Sequence, residues 1–305
     1  MTTAAPVTIV PRKIKKDWKL FWIILPLILL VFLFSYVPLA GWALSLVDYK
    51  PGYPLLKNEW IGLKYFQMIL TKSTTKRVLR NTIIFSSLDL LCMPLPMLLA
   101  ILLNEVRSDR FRKIAQVVTT LPHFISWIIV YSLAFAIFSS EGLLNQVLAM
   151  INAPGQNVLT DKNAVYWFQT CISIWKSLGW NAIIYIAAIA GIDQELYEAA
   201  RVDGAGRFRC AIHITIPGLL PTFIVLLLLR ISNFINSGID QYYVFQNNLV
   251  TRNIEVLDLY VYTVGLKQQN YSYAIAAGIM KSFISIALLF IANFTAKKVR
   301  GESII

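Results

Sequence analysis

The chain has 305 residues, of which 57% are hydrophobic and only 14% are charged, and its mean hydropathy is +0.62. Its length would allow two soluble domains, but the apolar residues form runs long enough to cross a bilayer, which excludes a soluble protein. The formal net charge is +12. Because the basic residues flank the apolar runs and form no groove interleaved with aromatic residues, we expect no nucleic-acid partner.

Six apolar runs are candidates for transmembrane helices, since about 20 residues at 1.5 Å per residue cross about 30 Å of hydrocarbon. The sequence therefore predicts an all-α integral membrane protein with a transmembrane domain at residues 20–296. A basic tail at residues 1–19 precedes this domain and a second tail at residues 297–305 follows it. The predicted spans are Leu20–Trp42, Ile83–Leu103, Val117–Phe138, Tyr166–Gly191, Ile214–Ile235 and Tyr273–Ala296.

The first span follows a cluster of basic residues, so a cleaved signal peptide has to be considered. Its apolar stretch is longer than the usual signal core of about 7–15 residues, and no clean small-residue cleavage site follows it. We therefore expect this span to be retained as an uncleaved helix.

Lysine and arginine residues predict the orientation. They are concentrated in the N-terminal tail, at residues 104–116 and 193–213, and after Ala296. The short loops after the third and fifth spans carry few basic residues. The segment after the first span carries more, but long loops translocate largely regardless of charge. We therefore expect both termini and the 193–213 loop to be cytoplasmic.

The loop between the fourth and fifth spans contains the segment EAARVDGAGRFRCAIHITIP at residues 198–217. Residues 195–202 are helix formers, and Asp193 is placed to cap the start of a helix there. Gly204 permits the left-handed conformation of a sharp turn, and the pattern restarts as a helix at Arg207. The sequence therefore predicts a short helix, a glycine hinge and a second helix lying across the membrane surface.

This segment resembles the coupling loop of ABC importer permeases, which form the membrane path while a separate subunit hydrolyses ATP. It fits the pattern Glu-Ala-Ala, three residues, Gly, nine residues, Ile-x-Ile-Pro. The resemblance implies that the first helix sits in a cleft of the ATPase and transmits its closure to the spans. The alternative is an ordinary amphipathic loop with a generic glycine stop. The residues implied to couple are Glu198, Ala199, Ala200, Asp203 and Gly204.

Other stretches are similar to the carbohydrate branch of these permeases, and the last three resemble its polysaccharide or alginate-type members. The resemblance implies the type I importer fold in a bacterial inner membrane, with spans two to six as the core. It also implies two ATPase subunits carrying Mg-ATP, a second homologous permease, an extracytoplasmic solute-binding protein and an oligosaccharide substrate. The stretches are LPHFISWIIV (121–130), GLLNQVL (142–148), DQYYVFQNNLV (240–250), LDLYVYTVGL (257–266) and YSYAIAAGIMKS (271–282).

Spans four to six carry charged, amide or aromatic residues where lipid contact is costly. Aromatic faces suit the C–H faces of sugar rings, while amide and guanidinium groups suit hydroxyls and carboxylates. We therefore expect eight residues to border the substrate path, and their excess of positive charge suits an acidic, uronate-type saccharide. These residues are Trp175, Lys176, Trp180, Asn181, Arg230, Asn233, Tyr273 and Lys281.

The same residues have a structural alternative. Lys176, Arg230 and Lys281 could pair with Asp89 of span two, with backbone carbonyls or across a subunit interface. Lys281 and Tyr273, near an end of span six, could also reach the membrane surface. Both roles stay open at this point.

The outer segment at residues 236–271 is too long for a tight connection and too apolar at residues 256–266 to be a mere linker. We expect it either to dip into the membrane interface or to form part of the docking surface for the solute-binding protein.

We expect no enzyme activity and no cofactor or metal on this chain. The sequence has no G-x-x-x-x-G-K-[ST] phosphate loop, so ATP hydrolysis is left to partner subunits. His123 and His213 are far apart without metal-ligand spacing, and we expect His123 to be a polar group at a helix kink. Two alternatives remain: an ABC permease for a non-sugar organic solute, and a self-contained secondary carrier. A carrier would need inverted repeats or an acidic relay, for which Asp89 alone is too little.

Overall fold

The computed structural model describes residues 18–54 and 57–300. Most of the predicted tail at residues 1–19, and residues 301–305 of the second tail, lie outside the described residues. The described chain is mostly helical, and the β pairing within it is one antiparallel bridge between Val47 and Trp60. The predicted all-α class is confirmed.

The chain forms fifteen α-helices in the described residues. They are α1 (Trp18–Val31), α2 (Lys64–Thr71), α3 (Ser73–Leu91), α4 (Pro94–Glu105), α5 (Asp109–Thr120), α6 (Trp127–Phe138), α7 (Leu143–Met150), α8 (Val165–Ala190), α9 (Gln194–Val202), α10 (Arg207–Cys210), α11 (Ile216–Ser232), α12 (Asp240–Phe245), α13 (Thr251–Ile254), α14 (Leu257–Tyr262) and α15 (Tyr271–Arg300). Wider turns extend α1 at Phe32–Tyr36, join α10 to α11 at Ala211–Thr215 and follow α14 at Thr263–Lys267, and 3-10 turns occupy Val37–Leu46 and Leu121–Phe124.

Six helical stretches of the described chain are long and apolar enough to cross a membrane, as the sequence predicts. Several join consecutive helices into one rod, as α3 and α4 do across the break that precedes Pro94. The six stretches are Phe21–Leu46, Ser73–Glu105, Trp127–Met150, Val165–Ala190, Arg207–Ser232 and Tyr271–Phe294.

The third predicted span, Val117–Phe138, is wrong as a single helix. α5 ends at Thr120, a 3-10 turn follows, and α6 begins only at Trp127. Pro122 lacks the N–H that would continue α5, and Ser126 caps α6 by accepting a hydrogen bond from a backbone N–H three residues on. α6 has 12 residues, which span about 18 Å and do not cross the hydrocarbon alone.

α8 is the central helix of the bundle, packing along α4 and α5 and touching α3 and α11. Its last turn leads directly into α9, so we call this end of the bundle the α9 end and the opposite end the α12 end. Successive spans alternate in direction. Trp18 and Arg300 therefore both lie towards the α9 end.

The first span lies at the edge of the bundle. Its side chains from Phe21 to Ala40 are almost all exposed, and the chain packs on α15 through Val37–Leu46. An apolar surface of this kind in a membrane protein faces lipid or another subunit. This position agrees with the peripheral placement that the family resemblance implies.

The outer segment at residues 236–271 is folded into the α12 end of the bundle. Ile254, Val256 and Leu259 are fully buried there. The Asn81 side-chain amide of α3 donates hydrogen bonds to the carbonyls of Arg252 and Glu255 at 2.9 and 3.1 Å. These contacts make the segment a packed cap over α3 and α8, which we call the α12 cap.

Candidate functional site

A cavity of about 540 Å³ opens between α3, α4, α8 and α11, under the first turn of α12. We call it the central cavity. Its lining mixes apolar side chains with hydroxyl, amide and charged groups, so it offers both faces that a polar organic solute needs. The polar lining residues are Asp89, Ser173, Ser177, Asn181, Arg230, Asn233, Ser237, Asp240 and Gln241.

α8 contributes a polar stripe to the central cavity. Ser173, Ser177 and Asn181 are four residues apart, so they lie on one face of the helix. Of these three residues, our sequence analysis named only Asn181 as a path residue. The regular spacing of the two serines before it is the signal that would have identified them.

An ion pair between Arg230 of α11 and Asp89 of α3 lies in the lining of the cavity, with the two side chains 40% and 31% exposed. Asp240 lines the same cavity. The lining thus combines one guanidinium with two carboxylates. It is not the positively charged surface from which we inferred an acidic substrate.

α12 closes the central cavity towards the α12 end of the bundle. The Gln241 side-chain amide donates hydrogen bonds to the backbone and side-chain oxygens of Gln169 in α8 at 2.8 and 2.9 Å. The ring of Tyr242 packs on Phe85 with centroids 5.0 Å apart. Burial raises the pKa of the Tyr242 hydroxyl, and the nearby Asp89 carboxylate raises it further. The Tyr242 hydroxyl is therefore neutral.

Lys176 lies in the middle of α8 and is not among the residues that line the central cavity. The residue is 9% exposed. Its ammonium group donates hydrogen bonds to the backbone carbonyls of Pro122, His123 and Ile125 at 3.1, 2.6 and 2.6 Å. These carbonyls belong to the break between α5 and α6, so Lys176 satisfies groups that a continuous helix would have paired internally.

Two neighbours of Lys176 hold the same break against α8. The indole of Trp180 stacks on the imidazole of His123, with centroids 4.4 Å apart and planes 2° from parallel. Gly179 lies so close to α5 that a Cβ there would be 2.2 Å from the carbonyl oxygen of Thr119. Trp175 and Trp180 are both partly exposed and do not line the central cavity.

Tyr273 and Lys281 of α15 contact the α12 cap, through Tyr260 and Asp258, and do not line the central cavity. Tyr273 is buried, and its hydroxyl lies 2.9 Å from that of Thr75. Lys281 pairs with Asp258, which also accepts hydrogen bonds from the backbone N–H groups of Ser237 and Gly238 at 3.0 and 2.9 Å. Of the eight predicted path residues, the structure brings together Asn181, Arg230 and Asn233.

We call residues 193–213 the α9 loop. It contains the short helix, the turn at Gly204 and the second helix that the sequence predicts. Asp193 caps α9 by accepting a hydrogen bond from the Glu195 N–H at 3.0 Å. Gly204 has a φ of +77° and turns the chain, and α10 restarts at Arg207. Glu198, Ala199, Asp203 and Gly204 are exposed and Ala200 is half-buried.

Two hydrogen bonds fix the α9 loop to the spans. The Tyr197 hydroxyl lies 2.9 Å from the Thr215 hydroxyl at the start of α11. The Arg207 guanidinium donates to the backbone carbonyl of Glu105, at the end of α4, at 3.1 Å. These bonds connect the loop to two of the helices that line the central cavity.

Titratable side chains form no metal centre in the described part of the chain, where no three His, Cys, Asp or Glu residues are grouped to hold an ion. The cysteines Cys92, Cys171 and Cys210 are all free thiols.

Two curated proteins are similar to this chain over nearly its whole length. Protein LplB of Bacillus subtilis (strain 168) is 41% identical over 296 residues, covering 95% of this chain and 92% of that protein. The polygalacturonan/rhamnogalacturonan transport system permease protein YteP of the same organism is 40% identical over 290 residues, covering 93% and 89%.

A solved structure and a family match agree with these relatives. A chain of a bacterial alginate ABC transporter, crystallised in complex with an alginate pentasaccharide-bound periplasmic protein, matches with a TM-score of 0.87 and 32% identity. The match covers 95% of this chain and 98% of that one. Residues 93–301 match the family described as the binding-protein-dependent transport system inner membrane component. The chain therefore belongs to this family, the permeases of ABC importers.

Proposed function

We propose that this permease and a second, homologous permease form the membrane path of an importer for an oligosaccharide, acidic ones of the uronate type included. An extracytoplasmic binding protein delivers the substrate, and two ATPase subunits that bind Mg-ATP drive its passage. The observation that carries the proposal is the central cavity, whose hydroxyl and amide lining faces apolar walls between the spans.

The lining suits a saccharide. Sugar hydroxyls need partners that both donate and accept hydrogen bonds, which serine, asparagine and glutamine side chains provide. The cavity volume of about 540 Å³ falls in the ordinary range of small-molecule sites, about 300–1,000 Å³. In this proposal Asn181, Arg230 and Asn233 contact the substrate, while the second permease supplies the facing half of the path.

The acidic character of the substrate is supported by the relatives and by one residue. YteP is named for polygalacturonan and the solved transporter for alginate. Arg230 is the cation of the cavity lining, and its planar guanidinium can bind a carboxylate through two parallel hydrogen bonds. A non-sugar solute is the less favoured alternative, because these relatives are named for saccharides.

The α9 loop is proposed to dock on the ATPase through Glu198, Ala199, Ala200, Asp203 and Gly204. Small side chains allow a partner surface to approach closely. Beside them Val202 and Phe208 are 87% and 80% exposed, an apolar surface that binding of a protein would cover. The bonds to Thr215 and Glu105 then carry the movement of the ATPase to α11 and α4.

The α9 end is proposed to face the cytoplasm, with both termini on that side. The basic residues flanking the spans at this end support the assignment, because cytoplasmic loops carry an excess of Lys and Arg.

The proposal is tested in two steps. The tagged chain is first solubilised gently from its native membrane and every co-purifying protein is identified by mass; we expect an ATPase and a second permease. The purified complex, with its binding protein, is then reconstituted into liposomes. ATP hydrolysis is measured with oligogalacturonate and with a neutral oligosaccharide of equal length.

Stimulation by a saccharide supports the proposal, and stronger stimulation by oligogalacturonate supports the acidic substrate. Stimulation by a phosphodiester or a small osmolyte alone would replace the saccharide with a non-sugar solute. A chain that purifies alone and transports without ATP would be a secondary carrier.

A further inference from the structure

A second cavity, of about 950 Å³, lies at the α9 end between α4, α5, α8, α9 and α10. We call it the α9 cavity. It shares no lining residue with the central cavity. It is therefore separate from the central cavity.

The α9 cavity is amphipathic. Its floor is apolar and belongs to the buried core, with Ala100, Leu103 and Ile189 as members. Its rim carries three guanidinium groups, from Arg112 of α5, Arg201 of α9 and Arg207 of α10, against one carboxylate, that of Glu105. An apolar floor below a cationic rim matches a molecule with an anionic head and an apolar body.

Two of the three rim arginines are held in place by the protein. Arg112 pairs with Asp109 at 2.7 Å, and Arg207 donates to the Glu105 backbone carbonyl at 3.1 Å. Each of these bonds uses one amino group of a guanidinium that has five N–H donors. Asp109 partly offsets the charge of Arg112, whereas the bond of Arg207 goes to a neutral carbonyl and leaves its charge available to a ligand.

The position of α5 places the α9 cavity at the membrane surface. On the exposed face of α5, Phe111, Ile114 and Val118 stand at positions i, i+3 and i+7. They form an apolar stripe that suits the boundary of the hydrocarbon. Arg112 and Gln116, which line the cavity, are residues of the same two turns. The rim therefore lies at the depth of lipid head groups, which favours a membrane lipid over a soluble phosphate.

We propose that the α9 cavity binds the phosphate head group of an anionic phospholipid. The guanidinium groups of Arg112, Arg201 and Arg207 hold the phosphate, and the apolar floor receives the glycerol and the first methylenes of an acyl chain. The proposal rests on the membrane orientation given under the proposed function. Basic pockets between membrane helices are suited to such head groups, and α9 forms part of the wall of this one.

The test compares lipid retention by the purified complex and its variants in nanodiscs of zwitterionic lipid with graded phosphatidylglycerol, measured by native mass spectrometry. We expect Arg201→Gln and Arg207→Gln each to weaken phosphatidylglycerol retention about fivefold. Arg209→Gln is the matched control, because Arg209 lies in the same turn as Arg207 but does not line the cavity. Arg110→Gln controls Arg112→Gln in the same way.

Equal retention by the cavity variants and their controls would overturn the proposal. So would displacement of the bound lipid by millimolar glycerol phosphate, which would assign the site to a soluble phosphate. Loss of the ATPase from the Arg201 and Arg207 variants with unchanged lipid retention would make the cavity a protein docking surface. If a glutamine variant does not fold, Arg201→Lys and Arg207→Lys serve instead. Lysine keeps the charge but lacks the planar guanidinium, so we expect a smaller loss of retention than with glutamine, but still a loss relative to Arg209→Lys.

Lipid retention is measured without saccharide or ATP. A wrong substrate assignment therefore leaves this result unchanged, and the failure of one proposal is distinguishable from the failure of the other.

Discussion

Arg230 of α11 and Asp89 of α3 form an ion pair that is partly open to the central cavity. A carboxylate of the protein thus already occupies the guanidinium that an acidic saccharide would use. A uronate must share Arg230 with Asp89 or displace it. Since Asp240 also lines the cavity, the lining has no excess of positive charge to offer an acidic substrate.

Changing the two partners separately tests this competition. We expect Arg230→Gln to raise the oligogalacturonate concentration needed for half-maximal ATPase stimulation about tenfold or more, because a charge-assisted hydrogen bond is lost. A neutral oligosaccharide should be affected less. Asp89→Asn should lower the concentration of oligogalacturonate required, since it frees the guanidinium.

The double variant Arg230→Gln/Asp89→Asn is the control for folding, because it removes both charges of the pair and leaves neither without its partner. It should keep the thermal stability of the wild type and lose the preference for the acidic substrate. An equal effect of Arg230→Gln on both saccharides would contradict a role for Arg230 in carboxylate recognition.

The hydrogen bonds of Lys176 lead to a second prediction. Lys176→Met should leave three carbonyls of the α5–α6 break without their donor. We expect a loss of about 2 kcal/mol or more in the free energy of unfolding, since unsatisfied buried groups cost about 1–3 kcal/mol each. Thermal unfolding of the purified complex measures this loss. If transport falls while the melting temperature is unchanged, Lys176 has the role in the path that the sequence suggests.

The close approach of α5 to α8 depends on Gly179. Gly179→Ala places a methyl group 2.2 Å from the Thr119 carbonyl oxygen, and the backbones must separate. We expect a destabilisation of about 1–3 kcal/mol, as for other overpacked sites, measured as a lower melting temperature. Gly278→Ala is the control, because a Cβ there meets nothing within 4 Å. Equal melting temperatures for the two variants would show that the contact relaxes without cost.

Asp258 connects two parts of the α12 cap with each other and with α15. Asp258→Asn weakens the pair with Lys281 and the bonds from the Ser237 and Gly238 N–H groups. We expect faster hydrogen exchange over residues 236–271, because the cap is then held less firmly. Asp161→Asn is the control, since that side chain is exposed and bonds locally to the Asn163 N–H. Unchanged exchange in the cap would show that apolar burial alone holds it.

The turn at Gly204 is the last test. Its φ of +77° is disfavoured for an L-residue by about 1–2 kcal/mol, and proline cannot adopt it. We expect Gly204→Pro to release the ATPase on co-purification, and Glu198→Lys to do the same by reversing an exposed charge. Gly206→Ala, at a φ of −73° with open space around its Cβ, should keep the ATPase bound. If the ATPase remains bound to Gly204→Pro, it does not depend on this turn.

Local features of the fold could be predicted from the residues themselves. The six apolar stretches follow from the length of hydrocarbon that must be crossed. The cap at Asp193 and the turn at Gly204 depend on backbone preferences within a few residues. For the same reason Pro122 and Ser126 indicate the break in span three, where our sequence analysis expected only a kink at His123.

Only the tertiary structure shows which partner each cation inside a span has. Lys176, Arg230 and Lys281 have equivalent signals in the sequence, namely a cation inside an apolar span. Their environments differ, since Lys176 binds backbone carbonyls, Lys281 pairs with Asp258 in the α12 cap, and Arg230 pairs with Asp89 beside the central cavity. A charge in a membrane span must find a partner or a cavity. Which of these it finds depends on how helices that are far apart in the sequence pack together, and a hydropathy profile does not contain that information.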